Sequence, residues 1–184
     1  MSVWPVFVLA EMHQDEGSPF SVGEIASWPV ELRDGLDTGC PRHELRDVSA
    51  TLEPGDASSV AGSLAVMPGL SVWWRGPQRP GCTLTMSALL GLDIWQPPPT
   101  TINGTVRRIR IASSPSRLND RGVWMPTGQW TLADTQTASK RFRRDYENPG
   151  ADREIGLLVD LDVIPGRPSA AAPTRHSRPQ TMSQ

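Results

Sequence analysis

No apolar run in this chain approaches the roughly 20 residues needed to cross a bilayer. The first apolar stretch, VWPVFVLA, has no basic region before it and no cleavage signal after it. It is not read as a signal peptide, so a cytoplasmic protein with no membrane partner is expected. Cysteine is scarce. Cys40 and Cys82 stand alone, and without an export signal they are expected as two reduced thiols, although spacing leaves a bridge open. Lysine is nearly missing, Lys140 being the only one, a bias that a GC-rich genome also produces.

Chemical motifs are missing as well. There is no phosphate-binding loop, no dinucleotide glycine fingerprint and no nucleophile elbow. GLDTG matches a fragment of an aspartic-protease loop, but nothing else in the chain supports it. Cys40 and His43 form a C-x2-H half-site that Cys82 and His13 could join, yet zinc sites usually show a second paired spacing, which is absent. No catalytic residue, metal or cofactor is therefore nominated. An enzyme, perhaps hydrolytic, would have to gather His13, Asp15, Glu16 and His43 around a cleft.

The chain instead has abundant punctuation and strand-like patterning. Its 184 residues include 18 prolines and 16 glycines, with 7 tryptophans to fill a core. In EIASWPVEL, Ala26, Trp28, Val30 and Leu32 fall on one face, and Pro29 marks an edge or a bulge. Val48, Ala50 and Leu52 alternate in the same way. SLAVM and LSVWWR read as a hairpin around MPG, and VWPVFVLA, GTVRRIRIAS, QWTLA and IGLLVDLDVI complete the strands. Helical signal is confined to Ser87–Leu92 and Thr135–Phe142. The expected fold is mainly all-β: a small closed or partly open barrel, SH3-like or OB-like, with one or two short helices. Residues 1–164 are expected as a single β-rich domain, and 165–184, poor in large apolar residues, as a disordered tail.

Net charge is −2 but uneven: residues 1–60 hold eleven acids against three bases, and residues 101–150 nine bases against four acids. Either the two regions attract each other within one fold, or the basic one meets an anionic partner. Alternation in TVRRIRI places Val106, Arg108 and Arg110 on one face, with the arginines about 7 Å apart, a spacing suited to phosphates. Lys140, Arg141, Arg143 and Arg144 cluster around Phe142. Trp73 shares a face with Ser71 and Arg75 and could stack on a base. Trp73, Arg75, Arg108, Arg110, Lys140, Arg141, Arg143 and Arg144 are thus the candidate ligand-binding residues of a single-strand nucleic-acid module. The plainer reading pairs these arginines with acids, plugs Phe142 into the core and covers Trp73 with a loop. Asp160 and Asp162 are read as a solvated face opposite Leu161 and Val163.

The leading functional expectation is a non-catalytic binding module with a protein or nucleic-acid partner. A structural version of it docks the tail and the edge strand at Pro29 onto another protein. GSPFSVGEIASWPVEL itself reads as a turn followed by a half-buried strand.

The motifs PFSVGEIASWPV, NGTVRRIRI, KRFRRDYENP and GLLVDLDV, in that order, resemble a family of small bacterial proteins classed as a domain of unknown function. The resemblance spans residues 3–164. It implies a shared fold and cytoplasmic life, and it implies no activity. The family pattern has a cysteine pair where this chain has Asp15 and Glu16, and a histidine- and acid-rich stretch near LDIWQPPP. Thiol or metal chemistry tied to those positions would be missing here.

Overall fold

The computed structural model describes residues 2–15, 17–36, 38–55, 61–94, 98, 100–120, 122, 124–139, 141–143, 150–165 and 169–170. In chain order the elements are β1 (Ser2–Leu9), helix α1 (Ala10–Asp15), β2 (Phe20–Ser21), β3 (Ile25–Asp34), β4 (Arg46–Pro54), β5 (Ser63–Met67), β6 (Leu70–Trp74), β7 (Thr83–Leu92), β8 (Thr100–Leu118), β9 (Trp124–Pro126), β10 (Thr131–Thr135), β11 (Thr137–Ala138), β12 (Asp152–Val163) and β13 (Ser169–Ala170). A 3-10 turn spans Arg42–Glu44.

Eight strands close into a barrel in the order β8, β12, β1, β7, β4, β5, β6, β3 and back to β8. The all-β barrel expectation is therefore met. Closure leaves few open edges, the usual hazard of a sheet. β3 and β7 also pair directly, Val30–Asp34 against Leu92–Ala88, which draws the ring in at its middle. β3 changes neighbour along its length: Ile25–Pro29 pair with β8, while Glu31 and Leu32 run parallel to Trp73 and Trp74 of β6. Pro29 sits at that change of partner, where a missing N–H breaks no rung. Thr100 stitches the junction, accepting the Trp73 N–H at 3.1 Å and donating to the Val30 carbonyl at 3.1 Å.

One apolar core fills the ring, from Trp4, Val6 and Val8 through Leu52 and Trp74 to Leu157, Val159 and Leu161. A second cluster lies on another face, where Phe7, Leu89, Ala112 and Leu158 are covered by Cys40, Leu45 and Trp130. The cover is held by Gly35 N–H to Ser87 O at 2.8 Å and Trp130 N–H to Gly39 O at 2.8 Å. Gly39 has φ +82°, and a Cβ there would lie 2.7 Å from the Gly128 carbonyl, so the loop closes only with glycine.

Both helical expectations are corrected. Ser87–Leu92 is the end of β7, buried on both faces: Ala88, Leu90 and Leu92 enter the main core and Leu89 joins the cluster of Cys40, Leu45 and Trp130, so its apolar run shows no period. Thr135–Phe142 contains the end of β10 and β11, with no helix among its described residues. The α-helix is Ala10–Asp15, which buries Ala10, Met12 and His13. Most of the expected tail lies outside the described residues, but Ser169 and Ala170 pair with Thr101 and Thr100 of β8. Among the described residues no helix is long and apolar enough to cross a membrane.

Candidate functional site

The arginine strand is arranged differently from its alternation. Asp160 pairs with Arg108 and Leu161 with Val106, so Arg107 is the extra residue of a bulge in β8. The bulge resets the faces: Val106 and Ile109 both enter the core, while Arg107 and Arg108 both point out. Each arginine meets an acid. Arg107 bonds Asp162 through two nitrogens at 2.6 and 3.1 Å, and Arg108 forks onto Asp134 at 2.6 and 3.0 Å. Arg110 is 1% exposed and is bracketed by Glu44 of the covering loop and Asp160 of β12.

The expected phosphate-binding pair is thus closed on one side by ion pairing and on the other by burial. Asp160 and Asp162, expected to be solvated, are half-buried and buried. Burial raises the Asp160 carboxyl above its ordinary value, against the pull of Arg110, whereas hydrogen bonding from Arg108 holds Asp134 below its own.

Trp73 is not an exposed stacking ring. It is 1% exposed, because Gly55 and Gly62 lie against it: a Cβ at either would be 2.0 or 2.5 Å from the indole. Its neighbour Arg75 pairs with Glu31 at 2.6 Å and Asp93 at 3.4 Å, and Arg33 shares Glu31 at 3.0 Å. Arg141 and Arg143 are exposed, while Lys140 and Arg144 lie outside the described residues. Phe142 packs against the core, in line with the plainer reading.

Nor do the candidate thiols and imidazoles converge. Both cysteines are free, Cys40 buried and Cys82 exposed. Burial, aided by Glu44, pushes the Cys40 thiol up to about 12. His43 is exposed on the 3-10 turn beside Glu44. Among the described residues no three histidine, cysteine or acidic side chains form a group able to hold a metal. Asp15 is exposed at the end of α1, and Glu16 lies outside the described residues.

A recess lies elsewhere, in the stretch read only as a turn and strand. Gly17–Trp28 and α1 wall a groove of about 410 Å³, whose floor includes Leu92 and Ile94 at the end of β7. Its interior is mostly apolar. Phe20 stands edge-on to Trp28 at 5.1 Å and to His13 at 5.5 Å. His13 is buried, with Nε2 at 3.4 Å from the Ala138 carbonyl. The helix ends tightly, Gly17 N–H donating to Met12 O at 3.2 Å, and a Cβ on Gly17 would lie 2.4 Å from His13 Nδ1. Among its described lining residues, His13 and Glu24 are the titratable groups, and Ile25 at the rim is 75% exposed. Sequence reasoning missed Met12, Phe20 and Ile94 as lining residues and took Trp28 for core alone. The one available signal was the aromatic pair flanking a bend.

Comparison with family models, curated proteins and solved structures finds no match for the chain.

Proposed function

We propose that this chain is a non-catalytic binding module whose ligand sits in the groove between α1 and β3. The observation that carries this reading is the groove itself: about 410 Å³, lined by Met12, Phe20, Trp28 and Ile94, open at a rim that exposes Ile25. Concave apolar sites with a few polar groups are where proteins usually hold ligands. His13 and Glu24 supply the polar groups here. The domain-of-unknown-function family that the motifs resemble would account for the fold and adds no ligand.

The reading turns away from the arginine strand, because Arg108 and Arg110 already face Asp134, Asp160 and Glu44. What is left of the nucleic-acid expectation among the described residues is the exposed pair Arg141 and Arg143. Retention on single-stranded RNA or DNA that weakens steeply with salt would restore that expectation.

The test uses a neutral apolar dye, Nile red. The wild-type chain should take it up with a rise in emission, and Ile94→Arg, which puts a charge on the groove floor, should lose most of that rise. Equal emission from the two proteins, or none from the wild type, would overturn the reading.

A further inference from the structure

The groove between α1 and β3 has a sign of charge as well as a shape, and this inference rests on the binding reading above. Its described lining residues include no lysine or arginine. They include one carboxylate, Glu24, which is exposed and makes no ion pair or side-chain hydrogen bond among the described residues. Elsewhere in the barrel acids are answered by arginines: Glu31 by Arg33 and Arg75, Asp134 by Arg108, Asp162 by Arg107. Helix α1 adds to the negative sign. Its C-terminal end leads into Gly17 and Ser18 of the groove wall, and a helix C-terminus carries partial negative charge on its free carbonyls. Asp15, the last residue of that helix, is exposed. Arg141 and Arg143 flank Phe142, whose ring stands 6.0 Å from His13, but none of the three lines the groove.

The apolar lining favours the same class of ligand. Phe20 and Trp28 meet edge to face at 67°, so the two rings form a corner rather than a flat wall. Aromatic faces carry partial negative charge and attract cations, tryptophan most strongly. An anion would meet both the rings and Glu24 with the wrong sign. A wholly neutral ligand would strip water from Glu24 and give nothing in return.

We propose that the ligand is an organic cation with an apolar body. Its ammonium centre lies at Glu24 and the Phe20–Trp28 corner, and its body lies along Met12 and Ile94. Attraction of this kind needs no N–H on the ligand, so a quaternary ammonium serves as a probe.

The full chain is loaded with Nile red and challenged with three compounds of similar size: benzyltrimethylammonium, its neutral carbon analogue neopentylbenzene, and phenylacetate. The ammonium should displace the dye at the lowest concentration and phenylacetate at the highest. Glu24→Gln keeps the size of the side chain and removes its charge. It should fold normally, because the bonds that Glu24 makes, to Ser21 and Val106, are made by its backbone. It should take up the dye as the wild type does, need about fivefold more ammonium for half-displacement, and respond to neopentylbenzene nearly unchanged.

Displacement by neopentylbenzene as readily as by the ammonium would overturn the cation and leave the groove as an apolar site. An equal loss for all three compounds in Glu24→Gln, or a bound dye that none of them displaces, has the same meaning. Phenylacetate as the best competitor would overturn the cation in favour of an anion. No dye uptake by the wild type would end the groove reading and this one with it.

Discussion

Arg110 and Ser27 sit on two strands of one barrel and have opposite surroundings. Around Arg110 a polar side chain has been enclosed: Glu44 reaches in from a loop, Asp160 from a neighbouring strand, and Cys40, Leu45 and Trp130 cover the patch. Around Ser27 the side chains are largely apolar and line an open groove. A charge buried with partners is a fixed part of a structure, whereas an open apolar groove has room for a ligand. The charged strand is closed by its own acids, and the plainer strand walls the groove proposed as the site.

The largest effect should come from breaking the enclosed side. Arg110→Ala leaves Glu44 and Asp160 together with no cation between them, and removing one partner of a buried ion pair destabilises by roughly 3–5 kcal/mol. Urea unfolding should show that loss as a lower midpoint. If Arg110→Ala unfolds at the wild-type urea midpoint, the enclosed region is not structural and the contrast collapses.

The two thiols sharpen the same contrast kinetically. Cys40, buried and with its thiol pushed up to about 12, should be almost wholly protonated at pH 8, while Cys82 is exposed. A chromogenic disulfide reagent should label one thiol promptly and the second only at the rate of local or global opening. Two equally fast thiols would mean that the loop over Arg110 is open in solution.

How much of this was legible can be judged from five places. Val48, Ala50 and Leu52 alternate in a strand with one buried face, and β4 was read correctly. Ser87–Leu92 has one face in the main core and the other under the second cluster, which removes the period that would have marked it as β. The faces of β8 were misassigned because the bulge at Arg107 is set by pairing with β12, a strand 50 residues away by the Arg110–Asp160 contact. Trp73 disappears under Gly55 and Gly62, a cover no local pattern could announce. The groove was hidden for the same reason: its walls come from α1, β2, β3 and the end of β7, and only folding brings them together.

The smallest effect concerns Arg108, on the same strand as Arg110 but at the surface. Its fork onto Asp134 is exposed on both sides, so Arg108→Ala should change stability at pH 7 only slightly. Its sign with pH is nevertheless defined. Hydrogen bonding from Arg108 holds the Asp134 carboxyl below its ordinary value, so its contribution is complete above the unfolded value of about 3.9 and fades as pH falls through the lower folded value. Asp160 runs the other way: burial raises its carboxyl, so the folded state gains relative stability as pH falls through that raised value. Total acid stability mixes the two, and the difference between wild type and Arg108→Ala weights Asp134, the forked partner, with a smaller part from Asp160, whose carboxyl Arg108 also lowers. That difference should shrink as the pH falls and approach zero below about pH 4. A difference that grows on acidification would place the depressed carboxyl elsewhere and make Arg108 a free surface cation, available to the anionic partner first considered.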